Sequence, residues 1–519
     1  MSLESLPKTN SGLSDATSSG NAKFFDTSHL ISDIKGRSIR GGAVVVASQG
    51  VKFFLQIGST AALARLLTPS DFGLVAMVSV FTEFINLFKD LGLSMATIQK
   101  KDITHQQVSN LFWVNIGMSV LLVVIAAAIS PFVADFYGEP RLILITIALG
   151  GTFIFGGLVA QHTALMRRQM RFTALAVIET VSMAAGIIAA IIGALLGLTY
   201  WSLVIMVAVR GMVRVYMVWS LSPWRPGKLN RGSGVRPMLA FGGNLTISNV
   251  MNYFTRHADN AIIGYALGST LLGYYTKAYA LLTLPMDQIN APLHSIMMPA
   301  LSRLQEEPQQ YRSFYLRALT SVAIIAMPLV TFLFVFANDI VDILLGSQWT
   351  PVASTFRYLG PAAFFSAVGY APGWLFISLG RAGLALRWNM LSTPVILIGF
   401  LIGVNWGING VAASYSITNS VLMVLGFAVA THNSPVRFYD IVESLSVPVM
   451  SSILAGLAAD LVRRYTLDLN ILIRFLTCAM AFVICYFAST LATSTGRQSV
   501  RSILNAASFL HARPVKNTI

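Results

Sequence analysis

Lys52 lies midway through a long apolar run, with Gln49 three residues before it and Gln56 four after. At 3.6 residues per turn these three groups share one helical face. A cation flanked by two amides on a stripe of that kind faces a cavity or a neighbouring helix rather than hydrocarbon. It has two uses: binding an anion that carries hydrogen-bonding groups, or neutralising a carboxylate. Glu83, midway along the next apolar run, is the expected partner for the second use. A later polar face repeats the pattern, with Asn244, Ser248, Asn249, Asn252 and Arg256 at spacings of a single helical stripe. Arg256 and Lys277 stand near the ends of two successive runs, where they could receive an anion, pair with Asp259, or anchor at an interface. Glu179 and Asp287 are further intramembrane carboxylates, candidates for coupling an ion or for pairing with a cation. Asn faces also serve as contacts between helices.

The elements that position these groups follow from composition. The chain has 519 residues, 55% hydrophobic and 11% charged, with a mean hydropathy of +0.68. A soluble domain carries about 25% charged residues, so this is an all-α, polytopic membrane protein. About fourteen apolar stretches long enough to span a bilayer follow one another between residues 41 and 492. Residues 1–40 read as a disordered cytosolic tail, 41–221 as a six-helix bundle and 222–237 as a cytosolic linker. A second six-helix bundle is expected over 238–430, two more helices over 431–492, and a cytosolic tail over 493–519.

Charge placement gives the orientation. With the N-terminus inside, 24 of the 36 Lys and Arg residues fall in cytosolic stretches, and only Arg65, Arg141, Arg463 and Arg464 lie in the opposite connections. The net charge of +15 is thereby a statement of topology rather than of nucleic-acid binding. Clusters such as Arg167, Arg168 and Arg171, or Arg225, Lys228 and Arg231, are placed to touch anionic lipid. Eight cations remain within spans or at their ends: Lys52, Lys89, Arg210, Arg214, Arg256, Lys277, Arg357 and Arg474. By depth, Lys89, Arg210, Arg214, Arg357 and Arg474 are expected to snorkel to head groups. Trp201, Trp219, Trp224, Trp349 and Trp374 read mostly as interfacial belts.

Other chemistry is missing from the sequence. Cys478 and Cys485 are seven apart on one helix and cannot bridge each other. No Cys/His metal cluster and no phosphate-binding G-x-x-x-x-G-K-[ST] loop occurs, so no cofactor or metal is expected. Every connection is short, which disfavours a membrane-embedded polymerase or ligase with a long catalytic loop.

An internal echo links the two halves: Leu67-Thr68-Pro69-Ser70-Asp71-Phe72-Gly73 and Leu267-Gly268-Ser269-Thr270-Leu271-Leu272-Gly273 stand 200 residues apart. Six spans per copy make the copies parallel repeats related by a pseudo-two-fold axis along the membrane normal. The first passage, with Leu66, Leu74, Phe88, Asp90-Leu91-Gly92-Leu93-Ser94 and Ile98-Gln99, resembles the Wzx-like polysaccharide-transport flippases. These belong to the multidrug/oligosaccharidyl-lipid/polysaccharide exporter superfamily. Leu272-Gly273-Tyr274-Tyr275, Ala278, Pro285 and Pro299-Ala300-Leu301-Ser302-Arg303 resemble that family's second half.

The resemblance implies a non-enzymatic transporter of the bacterial inner membrane with both termini cytosolic. Its cargo would be an undecaprenyl-diphosphate-linked oligosaccharide, moved by alternating access through a cationic central cavity. It also implies contact with membrane lipid and with polysaccharide polymerase and export machinery. On that reading Lys52, Gln49, Gln56, Asn249, Asn252, Arg256 and Lys277 would meet substrate. The alternatives are a cation-coupled small-molecule exporter of the same superfamily, which would favour acidic midplane residues, and a membrane-embedded polymerase or ligase.

Overall fold

The computed structural model describes residues 34–89, 92–100, 103–230, 236–466 and 468–501. Side chains within them are described except at 34–43, 46, 236–252, 254–256, 284, 287–296 and 471. The chain is helical, with no strand among the described residues. Among these, eight segments are long and apolar enough by themselves to cross a membrane. Their apolar side chains point outward as well as inward: Leu121, Val124, Leu144, Ile188, Ile192, Leu401, Leu476 and Ile484 are exposed. Water would not tolerate that surface, whereas hydrocarbon does. The chain is a multi-pass membrane protein.

Two compact units divide between Tyr265 and Ala266. The first unit holds α1 (Ile34–Leu66), α2 (Pro69–Asn86), the short α3 (Leu93–Gln99), α4 (His105–Tyr137), α5 (Leu142–Gly151), α6 (Phe153–Arg168), α7 (Phe172–Leu195) and α8 (Trp201–Leu221). Residues 236–265, the start of α9 (Arg236–Arg303), cluster with this unit. Specific contacts explain it: the Tyr253 hydroxyl donates to the Val80 carbonyl, Tyr253 packs on Phe84, and Tyr265 packs on Phe136.

The first turn in the echo is a helix start with its own wiring. Thr68 is the N-cap of α2, and Asp71 closes a reciprocal capping box: Asp71 N–H donates to Thr68 Oγ1, and Thr68 N–H to Asp71 Oδ2 at 2.9 Å. At the corresponding position 200 residues on, Gly268 interrupts α9 with φ 81° and ψ 178°. Only glycine adopts that region without strain.

The second unit continues with α10 (Pro308–Val335), α11 (Ala337–Leu344), α12 (Thr350–Ser366), α13 (Ala371–Ser378), α14 (Ala382–Gly403), α15 (Gly407–Thr431), α16 (Phe438–Tyr465) and α17 (Ile471–Ala492). α16 and α17 pack on each other and α16 on α10, around Phe336, Ala455, Ala459, Cys478, Phe482 and Tyr486. Both cysteines are free thiols of α17.

Three tryptophans depart from the interfacial expectation. Trp224, Trp349 and Trp374 are at most 2% exposed, packed among aromatic neighbours rather than set at a head-group belt. Trp224 donates its indole N–H to His105 Nδ1 and packs against His162 and Phe112.

Candidate functional site

The polar chemistry of the first unit is organised by the register of α7 and α8. A Cβ at Gly186 would stand 2.7 Å from the Met206 carbonyl oxygen, and one at Gly193 would stand 3.2 Å from Ser202 Oγ. These close approaches run the two helices antiparallel, with residue numbers falling on one as they rise on the other. Followed toward the start of α7, the same register brings Glu179 opposite Arg214. Arg214 lies 3.9 Å from Glu179 Oε1, and Lys52 Nζ of α1 lies 3.4 Å from Glu179 Oε2.

The expected partner of Lys52 was Glu83; the structure gives it Glu179 instead, because α1 packs along α7. Gln49 and Gln56 are exposed on the same helix. Glu83 faces a group that the sequence reading overlooked: His257 Nε2 stands 3.6 Å from Glu83 Oε2. No motif marks that histidine, and only its distance from Glu83 in the fold reveals it.

A cavity of about 470 Å³ opens within the first unit between α2, α5, α6 and α8. Its polar lining comprises Ser79, Thr82, Glu83, Asn86, Lys89, Thr152, Arg210 and Arg214. Three cations against one carboxylate leave two formal positive charges in excess. Lys89, Arg210 and Arg214 are expected to snorkel to head groups; the structure places all three in the lining of one cavity. Depth along a helix does not determine the direction around it.

Local features shape the wall. The helix breaks at Thr152 between α5 and α6, and the Thr152 hydroxyl satisfies the Leu149 carbonyl at 2.6 Å. Lys89 lies across Gly156, where an added Cβ would come within 2.9 Å of its Nζ. Arg214 Nε makes no hydrogen bond. A guanidinium has five donors in a planar fork, so Arg214 keeps donors for a tetrahedral oxyanion. Hydroxyl and amide groups in the same lining match the donors and acceptors of a sugar.

Other expected site residues fall elsewhere. Lys277 belongs to the second unit, half-buried beside Tyr275 and Ala278. The side chains of Asn249, Asn252, Arg256 and Asp287 lie outside the described residues. Arg474, expected at an interface, instead pairs with the buried Asp339 at 2.9 Å. Arg168 donates to the carbonyls of Thr97, Ile98 and Lys100. Arg171 donates to Leu221 O, and Arg225 to Trp219 O and Trp224 O. These three arginines, expected to touch lipid, are tied to backbone. Among the described residues no group of His, Cys, Asp and Glu could hold a metal.

The fold is that of membrane flippases and multidrug transporters. It matches the lipid II flippase MurJ in its inward closed conformation with a TM-score of 0.68, 12% identity, and coverage of 87% of this chain and 98% of that one. An inward-facing multidrug resistance MATE family transporter of the MOP superfamily gives 0.60 at 14% identity, covering 76% and 96%. At those identities the shared property is the fold alone. Sequence is more specific, and a model of the family described as polysaccharide biosynthesis protein matches residues 62–354. The chain belongs to that family.

It is 25% identical to the lipopolysaccharide biosynthesis protein WzxC of Escherichia coli (strain K12) over 378 residues, 71% of this chain and 75% of that protein. Its identity to the teichuronic acid biosynthesis protein TuaB of Bacillus subtilis (strain 168) is 25% over 353 residues, 64% and 70% of the two chains. The resemblance to the Wzx-like branch of the exporter superfamily is thereby borne out.

Proposed function

We propose that this protein flips a polyprenyl-diphosphate-linked oligosaccharide across the bacterial cytoplasmic membrane for the assembly of an extracellular polysaccharide. The observation that carries this reading is the cavity with Lys89, Arg210 and Arg214 in its lining. A diphosphate brings about two negative charges, and leaving water without counter-charges is costly. The wall offers cations in matching excess, two of them guanidiniums with bidentate geometry for phosphate oxygens. Ser79, Thr82, Asn86 and Thr152 supply hydrogen bonds for sugar hydroxyls. Alternating exposure of this site to the two sides of the membrane moves the head group, while the polyprenyl chain stays in lipid. No bond is made or broken, so the protein acts as a transporter rather than an enzyme. The same positive wall is adverse to the organic cations that an exporter with an acidic site would carry.

Reconstituted protein in vesicles holding an undecaprenyl-diphosphate oligosaccharide tests the reading. Wild-type protein is expected to equilibrate the cargo between leaflets, and Arg210→Gln with Arg214→Gln to abolish this at equal protein content. Cargo that stays in its starting leaflet with the wild-type protein would overturn it.

A further inference from the structure

Glu179 has two cations where one would neutralise it. Lys52 of α1 approaches one carboxylate oxygen at 3.4 Å and Arg214 of α8 the other at 3.9 Å. The two contacts are unequal in surroundings as well as length: the Lys52 side chain is 17% exposed, while Arg214 and Glu179 are 37% and 35% exposed. Arg214 alone of the two cations lines the cavity. Its contact with Glu179 is too long for a good hydrogen bond, and its Nε is unbonded.

On these grounds we infer that Glu179 is an exchangeable internal counter-anion, held in place by Lys52, which yields Arg214 to an incoming phosphate and reclaims it when the phosphate leaves. This inference rests on the reading of the cavity as a diphosphate site. The arrangement avoids an orphaned charge in either state. Without cargo, Glu179 is shared between Lys52 and Arg214. With cargo, Arg214 turns its fork to the phosphate oxygens, and Glu179 retains Lys52. A carboxylate poised beside the binding cation lowers the affinity for the anion and so favours release on the far side, where tight binding would halt the cycle. Lys52 is then a positioning residue: it withdraws part of the carboxylate's charge from Arg214 without touching cargo itself.

The two removals have opposite signs, which a merely structural ion-pair network would not produce. The probe is undecaprenyl diphosphate, titrated into the full-length protein in detergent. Glu179→Gln, which keeps the side-chain shape, is expected to tighten Kd by roughly fivefold, the scale of a partly exposed ion pair, and to slow flipping at saturating cargo. Lys52→Gln leaves Glu179 wholly to Arg214 and is expected to weaken Kd by a similar factor. The double variant Lys52→Gln/Glu179→Gln is expected to bind like Glu179→Gln. Should Glu179→Gln not fold, Lys52→Gln alone decides: weaker binding supports the exchange and an unchanged Kd overturns it. Arg214→Gln separates the two levels of the argument. Weaker binding in Arg214→Gln together with an unchanged or weaker Kd in Glu179→Gln overturns the counter-anion role and leaves the cavity reading intact. An unchanged Kd in Arg214→Gln overturns both.

Discussion

His257 Nε2 stands 3.6 Å from Glu83 Oε2, and its imidazole lies flat on Tyr253, with 4.4 Å between ring centroids and 16° between ring planes. The stack fixes the ring plane and so aims a nitrogen at the carboxylate. Only imidazolium can make an ion pair with Glu83; neutral imidazole offers at most a hydrogen bond.

The pair should therefore be coupled. A double-mutant cycle of Glu83→Gln and His257→Gln, read as thermal stability in detergent, is expected to give a coupling of about 0.5–1 kcal/mol. Strictly additive losses would show that the two side chains do not support each other.

Gly156 carries a different prediction, because the Lys89 stem crosses it at a distance that leaves no room for a methyl group. Gly156→Ala must push Lys89 off the cavity wall. The far end of a lysine moves cheaply, so the stability loss should stay below about 1 kcal/mol. Flipping of an undecaprenyl-diphosphate oligosaccharide should nevertheless fall several-fold, as it should in Lys89→Gln. The double variant should be no worse than either single one. Wild-type transport in Gly156→Ala would remove Lys89 from the site.

These residues also show what the sequence could and could not convey. Helical periodicity and apolar run length are local, and they located the helices. The turn at Thr68 and its counterpart at Gly268 were visible as an echo, and both positions break the helix. Lys52 stood out because a charge in an apolar run is unusual in one dimension. Its partner did not, since Glu179 is 127 residues away and becomes a neighbour only when α1 packs on α7. Glu83, the nearer carboxylate in sequence, is taken by His257. Lys89, Arg210 and Arg214 were ranked by depth, yet the property that assembles them is the direction around each helix. That direction is set by glycine contacts such as Gly186 against Met206, which a hydropathy profile does not register.

Asp440 and Arg312 tie the start of α16 to the start of α10. Asp440 accepts two hydrogen bonds of 2.7 Å from Arg312, and its Oδ2 also accepts the Arg437 backbone N–H at 2.9 Å. The carboxylate is 5% exposed and the arginine 50%, so the two truncations should not be equivalent. Asp440→Ala removes a helix cap together with the ion pair and is expected to cost about 1–2 kcal/mol. Arg312→Ala leaves the cap in place and should cost clearly less. Thermal unfolding in detergent measures both, and equal losses would mean that the cap adds nothing.

Arg168 tests the same logic where charge and shape can be separated. Its Nη1 reaches the carbonyls of Thr97 at 3.2 Å, Ile98 at 3.4 Å and Lys100 at 2.5 Å, closing the end of α3 against α6. Arg167, one residue earlier, is exposed. A lysine at 168 keeps the charge but replaces a planar fork with a point donor on a shorter reach. Arg168→Lys is therefore expected to lose about 1–2 kcal/mol of stability, nearly as much as Arg168→Gln, whereas Arg167→Gln should be close to neutral. Anionic lipid discriminates in the opposite sense: in vesicles containing phosphatidylglycerol, Arg167→Gln should reduce lipid-dependent stabilisation, and Arg168→Lys should not. Full rescue of stability by Arg168→Lys would show that charge alone, and not the carbonyl contacts, explains the residue.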